Sequence, residues 1–227
     1  MTELALGERY VPILGKALEG RGIRCISIPV NPVLDERIAS HTDLALLHLG
    51  NDRFAAASEI GINWDFPVFN KVPTYKNDCA LNSCIAGEYW IGCLSTAAVI
   101  PKEKTIIPVK QRYTRCSVCV VDEHSIITAD PGIVRACKGK LDVLCIEPGH
   151  IALPGFDYGF IGGASFKLSK REIAFTGRLD AHPDRERIEA FLRERKIKPV
   201  YLTDGVCFDC GSAVPLREEI SFSAPLN

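Results

Sequence analysis

His41, Asp43, Asp78, Cys116 and Asp209 are the residues of this 227-residue sequence whose types and spacing could act together chemically. A thiol beside an imidazole can form a thiolate that attacks carbon, and carboxylates around it would select a planar cation through charge-assisted hydrogen bonds. The sharpest local signal is His41-x-Asp43, because residues two apart on a strand face the same side. Taken alone, such a pair is more often a structural hydrogen bond. Position tips the balance, since Asp78, Cys116 and Asp209 open equivalent segments elsewhere in the chain.

Those segments are copies of one unit, clearest at residues 113–133, YTRCSVCVVDEHSIITADPGI. Val118, Val120 and Val121 lead into a polar Asp122-Glu123-His124-Ser125 turn, and Ile126, Ile127 and Thr128 lead out, so β-branched sequence flanks a turn cluster. Asp130-Pro131-Gly132 then starts a short helix, with Asp as its cap and Pro in its first turn. Degenerate copies begin near His41, Asp78, Gly162 and Asp209, at intervals of about 35 to 47 residues. Their turns fall at Gly50-Asn51-Asp52, Ala86-Gly87-Glu88, Ser169-Lys170-Arg171 and Arg217-Glu218-Glu219.

A further strand precedes most copies, at residues 23–28, 67–70, 105–109, 143–146 and 200–203. Helices fall between copies, clearest at 11–18 and at 183–196, where Ile188, Phe191 and Leu192 make an apolar stripe among charges. Five units of three strands and a helix must extend as a solenoid or close into a ring. The chain length favours closure, which buries the inner strands around one axis and needs no capping repeats. The polar openings of the units would then converge on that axis.

Composition narrows the classes. The length suits one domain spanning 1–227, with 47% hydrophobic residues to build its core. Lys and Arg number 27 against 28 Asp and Glu, scattered along the chain, which argues against a nucleic-acid surface. The basic run 185–198 is interspersed with glutamates and reads as the solvated face of a helix. No apolar run approaches a membrane span, and Glu3, Glu8 and Arg9 break any secretory core, so a cytoplasmic protein is expected. Of ten cysteines, Cys25, Cys84, Cys93, Cys119, Cys137 and Cys145 sit in apolar pattern as small hydrophobes, which fits a reducing compartment.

Other motifs carry less. Cys116-x-x-Cys119 and Cys207-x-x-Cys210 run into strand sequence, where positions three apart face opposite sides, unlike the tight turn of a zinc knuckle. Gly159-x-x-Gly162-Gly163 precedes a hairpin and not a helix, so it is read as close backbone approach and not as a phosphate loop. His48, His124, His150 and His182 all suit structural roles.

Five such units with His-x-Asp, Cys and carboxylates at their openings resemble the pentein fold of the guanidino-group-modifying enzymes, which include arginine and agmatine deiminases, glycine amidinotransferase and dimethylarginine dimethylaminohydrolase. The strings RYTRCSVCVVDEHSIITADPGI, GFIGGAS, FTGRLDAHPD and DCGSAVPL are similar to an uncharacterised bacterial group of the same fold. The resemblance spans essentially the whole chain and implies an α/β protein of five pseudo-symmetric βββα repeats, closed as an α/β propeller around a central cavity. It implies a cysteine-dependent hydrolase or transferase with Cys116 as nucleophile, His41 and Asp209 as its catalytic partners, Asp43 and Asp78 binding a guanidino small molecule, and no cofactor or metal. In those enzymes the nucleophile lies in the last repeat, whereas Cys116 lies in the third; Cys210 is the thiol that an unrotated comparison selects. The alternative implied by the same fold is a binding protein without catalysis, like a ribosome anti-association factor.

Overall fold

Short apolar runs broken by turn residues fold here into three-stranded sheets, as seen in a computed structural model that describes residues 1–50, 53–60 and 68–217, with the side chains of 68–70 set aside. In chain order the elements are β1 (Glu3–Gly7), α1 (Val11–Glu19), β2 (Arg24–Ile28), α2 (Thr42–Ala45), β3 (Leu46–Gly50), β4 (Arg53–Ala57), β5 (Val68–Val72), β6 (Cys84–Ala86), β7 (Tyr89–Gly92) and β8 (Thr105–Pro108). There follow α3 (Thr114–Ser117), β9 (Val118–Val120), β10 (Ser125–Thr128), α4 (Pro131–Cys137), β11 (Asp142–Cys145), β12 (Ser165–Ser169), β13 (Glu172–Phe175), α5 (Arg185–Glu194), β14 (Lys198–Tyr201) and β15 (Val214–Arg217).

The strands make five sheets, ordered β15-β1-β2, β3-β4-β5, β6-β7-β8, β9-β10-β11 and β12-β13-β14. Each repeats one scheme: an antiparallel pair followed by a third strand that lies parallel to the middle one. The strand expected ahead of each copy is therefore present but belongs to the sheet of the preceding hairpin. A parallel partner needs a crossover, and the crossover is the link between copies.

Helices fill only some crossovers. Pro12 sits in the first turn of α1, which buries Leu14 and Leu18. The Asp130 carboxylate accepts from the backbone N–H of Gly132 and Ile133 at 2.7 and 2.9 Å, capping α4 as its sequence dictates. Ile188 and Leu192 are the buried face of α5. Residues 93–104, between β7 and β8, form turns instead of the expected helix, consistent with Pro101 and the β-branched Thr96, Val99 and Ile100 in that link.

The fifth sheet departs most from expectation. Its antiparallel pair is β15 with β1, so a strand from the start of the chain completes the sheet begun at its far end, with Glu3 opposite Arg217 and Ala5 opposite Val214. The return strand expected after Arg217-Glu218-Glu219, the tip of Gly50-Asn51-Asp52 and the first residue of 67–70 lie outside the described residues.

Apolar clusters fill the spaces between neighbouring sheets. Leu4, Leu6, Leu14 and Leu18 pack with Phe166 and Ala174, and Cys119 and Ile127 pack with Ile173, Phe175 and Ile188. The first strands of neighbouring copies also touch, β15 against β3, and β9 against both β6 and β12. His48, Ile85, Val120, Lys167 and Pro215, one from each of those five strands, line one cavity of about 290 Å³. All ten cysteines are free thiols. Cys145, expected inside, is exposed, because β11 is an edge strand of its sheet. Among the described residues no helix is long and apolar enough to cross a membrane.

β1 is the middle strand of its sheet, and Leu4, Ala5 and Leu6 are fully buried. Leu6→Ala should cost about 2–5 kcal/mol by the lost burial and the residual cavity, read as a lower urea midpoint at unchanged slope.

Candidate active site

Two one-turn helices place the reactive side chains. His41 stands at the N-cap of α2 with extended backbone, and Asp43 lies inside that turn. The pair was expected on a strand; instead the Asp43 N–H leaves the local pattern to donate to Gly211 O at 3.0 Å, tying α2 to the segment before β15. Cys116 lies in the matching turn α3, two residues before β9. The two turns come from different sheets, yet an imidazole nitrogen, an Asp43 oxygen and Cys116 Sγ all lie within 4.8 Å of one another.

The bonds within the cluster are specific. The Cys116 thiol donates to Asp43 Oδ2 at 2.8 Å. Asp209 Oδ1 stands 3.9 Å from His41 Nδ1, while Asp209 itself accepts from the N–H of Phe160 and of Gly211, each at 2.9 Å. Two glycines make room for this arrangement. A methyl at Gly163 would run into the Asp209 carboxylate, and Gly211, at φ +70°, presses on the His41 side chain. His41 is 3% exposed, Asp43 1%, Cys116 3% and Asp209 2%. Among the described residues, His41 Nε2 and Asp43 Oδ1 have no hydrogen-bond partner.

Burial sets the charge state. It raises the Asp43 carboxyl from its ordinary 3.8 to about 7, with nearby Asp209 adding to the rise and the Cys116 hydrogen bond opposing it. The Cys116 thiol is pushed well up by burial and then by Asp43 and Asp209. Asp209 is raised by burial, against a lowering by His41, and His41 is lowered by burial, so its neutral form is favoured. Arg115 supplies positive charge to both carboxylates, but its guanidinium is committed to Val118 O at 3.1 Å and Ser212 Oγ at 2.6 Å.

Among the described residues two of the candidates make no hydrogen bond to this cluster, although Asp209 and Asp43 lie near enough to raise the Cys210 thiol beyond what burial does. Asp78 accepts from Tyr113 Oη and lies 3.9 Å from Arg112 Nη2; among the described residues none of its hydrogen bonds or ion pairs reaches His41, Asp43, Cys116 or Asp209. The Cys210 thiol donates to Gly163 O at 3.4 Å and packs with the apolar cluster around Leu4 and Phe166. Cys207 and Cys210 sit in irregular chain ahead of β15, not in strand. Cys119 points into core while Cys116 joins the polar cluster, as their spacing implied.

Asn82 occupies the place expected for Asp78. Its amide donates to Cys116 Sγ at 3.3 Å, and its carbonyl accepts from the N–H of Arg115 at 2.8 Å and of Cys116 at 3.2 Å. The signal was present: Asn82 lies two residues before β6, as Cys116 lies two before β9. Tyr10 was also missed. Its ring tilts over His41 at 6.1 Å and stacks on Phe208, and these two rings, with Arg9, Ile13, Arg37 and Asp209, line a second cavity of about 470 Å³.

Among solved structures, that of SxtG, an amidinotransferase from Microseira wollei in the saxitoxin biosynthetic pathway, is similar over 99% of this chain and 96% of that chain, with a TM-score of 0.53 and 10% sequence identity. At that identity the likeness concerns the fold alone, and it makes this an α/β protein of pentein-like fold. The chain belongs to a family of unknown function, DUF6873, whose profile matches residues 6–214. Comparison with curated proteins finds no match.

Asn82→Leu should strand two backbone N–H groups and cost about 1–3 kcal/mol for each group left unpaired, measured by urea denaturation. Asp43 has a pH signature. Because its folded-state value is raised, its contribution to stability is greatest below about 4 and is lost as pH rises toward about 7. Asp43→Asn should therefore gain stability relative to the parent across that window, read from melting temperatures of the two proteins in parallel pH series.

Proposed function

We propose that the five sheets close around one axis as an α/β propeller, and that the buried cluster is the active site of a cysteine-dependent enzyme acting on a guanidino small molecule. The observation that carries this is the convergence of thiol, imidazole and carboxylate within 4.8 Å, from turns 73 residues apart between Asp43 and Cys116. Closure is supported by the cavity that all five first strands line and by the pairing of β1 with β15.

Charge argues for the substrate class. Two buried carboxylates and a thiol are raised together, and the nearest cation, Arg115, is held by other acceptors. A guanidinium brings a delocalised positive charge and planar N–H donors, and the unpartnered Asp43 Oδ1 is an acceptor for one of them. Its arrival would lower the thiol's pKa, because a cation beside a thiol favours the thiolate.

The chemistry follows in balanced steps. Once a guanidinium N–H takes Asp43 Oδ2 from the Cys116 thiol, His41, with its neutral form favoured and Nδ1 3.9 Å from Asp209, would accept the thiol proton at Nε2. The thiolate adds to the guanidinium carbon, and the C–N bond to the departing amine breaks as that nitrogen takes the proton from His41. Water, or an acceptor amine in a transferase, attacks the thiouronium carbon; His41 accepts its proton, the C–S bond breaks with its electron pair on sulfur, and the proton passes from His41 back to the Cys116 thiolate. Asp209 orients His41, Asp43 holds the guanidinium, and Asn82 positions the sulfur. Asp78 lies further out, where with Tyr113 it would meet the substrate only beyond the reacting carbon. No cofactor or metal is needed for this scheme, and ten free thiols suit a cytoplasmic setting.

A second reading, a guanidino-binding protein without turnover, is favoured by one feature: burial, and then the carboxyl groups of Asp43 and Asp209, push the Cys116 thiol well up from its ordinary pKa. A thermal-shift screen of guanidino compounds, followed by assays for released ammonia or amine, separates the two. A ligand at a hundred times its Kd should add about 2.7 kcal/mol of stability. Cys116→Ser should retain binding, abolish turnover and change stability by less than about 1 kcal/mol, since the volume change is small. Cys210→Ser should leave turnover intact. Binding without turnover supports the second reading, and the absence of any shift across the panel removes both.

A further inference from the structure

We infer that His41, Asp43 and Cys116 form a binding site for a borderline-soft divalent cation of the Zn²⁺ class, occupying the same space as the organic cation. The inference concerns the cluster itself and stands or falls apart from the guanidino reading. Three observations carry it.

The first is the donor set. One nitrogen, one carboxylate oxygen and one sulfur, all within 4.8 Å of one another, need only small side-chain movements to reach the 2.0–2.3 Å bonds that zinc makes to such atoms. Thiolate and imidazole together select zinc and its neighbours over magnesium or calcium, which take oxygen ligands. Among the described residues this is the one cluster of at least three such ligands. The two Cys-x-x-Cys pairs are not part of it, since Cys119 faces the core and Cys210 bonds Gly163 O.

The second is unmet bonding capacity. Asp43 Oδ1 and His41 Nε2 are buried without partners, and a buried polar atom left unpaired costs about 1–3 kcal/mol. A metal would engage these side chains while displacing protons from the thiol and the carboxyl.

The third is the outer shell. Asp209 Oδ1 stands 3.9 Å from His41 Nδ1, from where a shift of about 1 Å would bring it to the hydrogen bond by which a carboxylate fixes the ring of a ligating histidine. The Asn82 amide donates to Cys116 Sγ at 3.3 Å and would steady the thiolate. Three protein ligands leave a fourth position open. A thiolate held by a metal is unavailable to carbon, so the site would hold either metal or substrate.

The test is a titration of metal-free protein with zinc chloride against a chromogenic chelator, with cobalt(II) as a spectroscopic substitute. One equivalent of zinc should bind, and cobalt should give a thiolate-to-metal charge-transfer band. Cys116→Ser should abolish the band, and Cys116→Ser, His41→Gln and Asp43→Asn should each weaken zinc binding by more than about tenfold, at least the cost of losing an outer-shell partner. Cys145→Ser, which alters the exposed thiol, should bind as the parent does. The proposal is overturned if the parent binds no stoichiometric zinc, if its cobalt form lacks the thiolate band, or if binding survives in Cys116→Ser and disappears in Cys145→Ser. The cobalt band is read on the parent protein, so a variant that fails to fold does not remove the test. Guanidino binding, measured by thermal shift in the presence of chelator, reports separately on the proposed activity.

Discussion

Two carboxyl groups and a thiol lie where water does not reach, and much of the local architecture is a response to the cost of putting them there. An isolated buried carboxylate is prohibitively unfavourable, so such groups must be protonated, hydrogen-bonded or matched by a cation. Asp209 takes backbone N–H groups from two segments, and it fits because Gly163 offers no side chain to block it. Asp43 takes the Cys116 proton donor and keeps one oxygen unmatched. Arg115 is a fixed partial counterweight to these groups, turned toward other acceptors.

Several of the site's contacts cross a boundary between sheets. Asn82, ahead of β6, holds the turn that carries Cys116, ahead of β9; Gly211, ahead of β15, holds the turn that carries Asp43, ahead of β3. Arg115 reaches Ser212, whose hydroxyl donates to Ser165 O at 2.9 Å. The polar centre therefore does two jobs. It gathers chemistry, and it fixes the relative placement of sheets whose apolar contacts alone would permit sliding, since hydrogen bonds are directional and dispersion is not.

The sequence made the repeat legible because hairpins are local: Val118 to Thr128 carry β-branched residues on both sides of a turn cluster, and the Asp130 cap needs only the next three residues. It also placed His41, Asp43, Cys116 and Asp209 in one phase of that repeat, and these four come together. What it hid depends on partners distant in the chain. The one-turn helix at Asp43 is anchored by Gly211, and the exchange of Asp78 for Asn82 rests on a four-residue offset that only the observed start of β6 reveals. β1 was missed because Glu3 to Gly7 has no turn cluster and return strand next to it in sequence, and its antiparallel partner β15 lies at the other end of the described chain. Cys145 looked like core by its neighbours, but exposure on an edge strand is decided by sheet order.

The pairing of β1 with β15 also bears on how the molecule is made. During synthesis, Glu3 to Gly7 emerge long before their antiparallel partner, Val214 to Arg217. Until then β1 has β2 on one side and an open hydrogen-bonding edge on the other, an invitation to pair with another chain. Among the described strands, closing that edge is the pairing of greatest sequence separation, and long-range β pairing is intrinsically slow. The nascent chain would thus spend its synthesis with Asp43 near an incomplete floor, since Gly211 and Asp209 arrive in the same final segment. Assembly of the reactive cluster and completion of the last sheet become one event, and a partly made chain presents a thiol without the imidazole–carboxylate pairing that defines it.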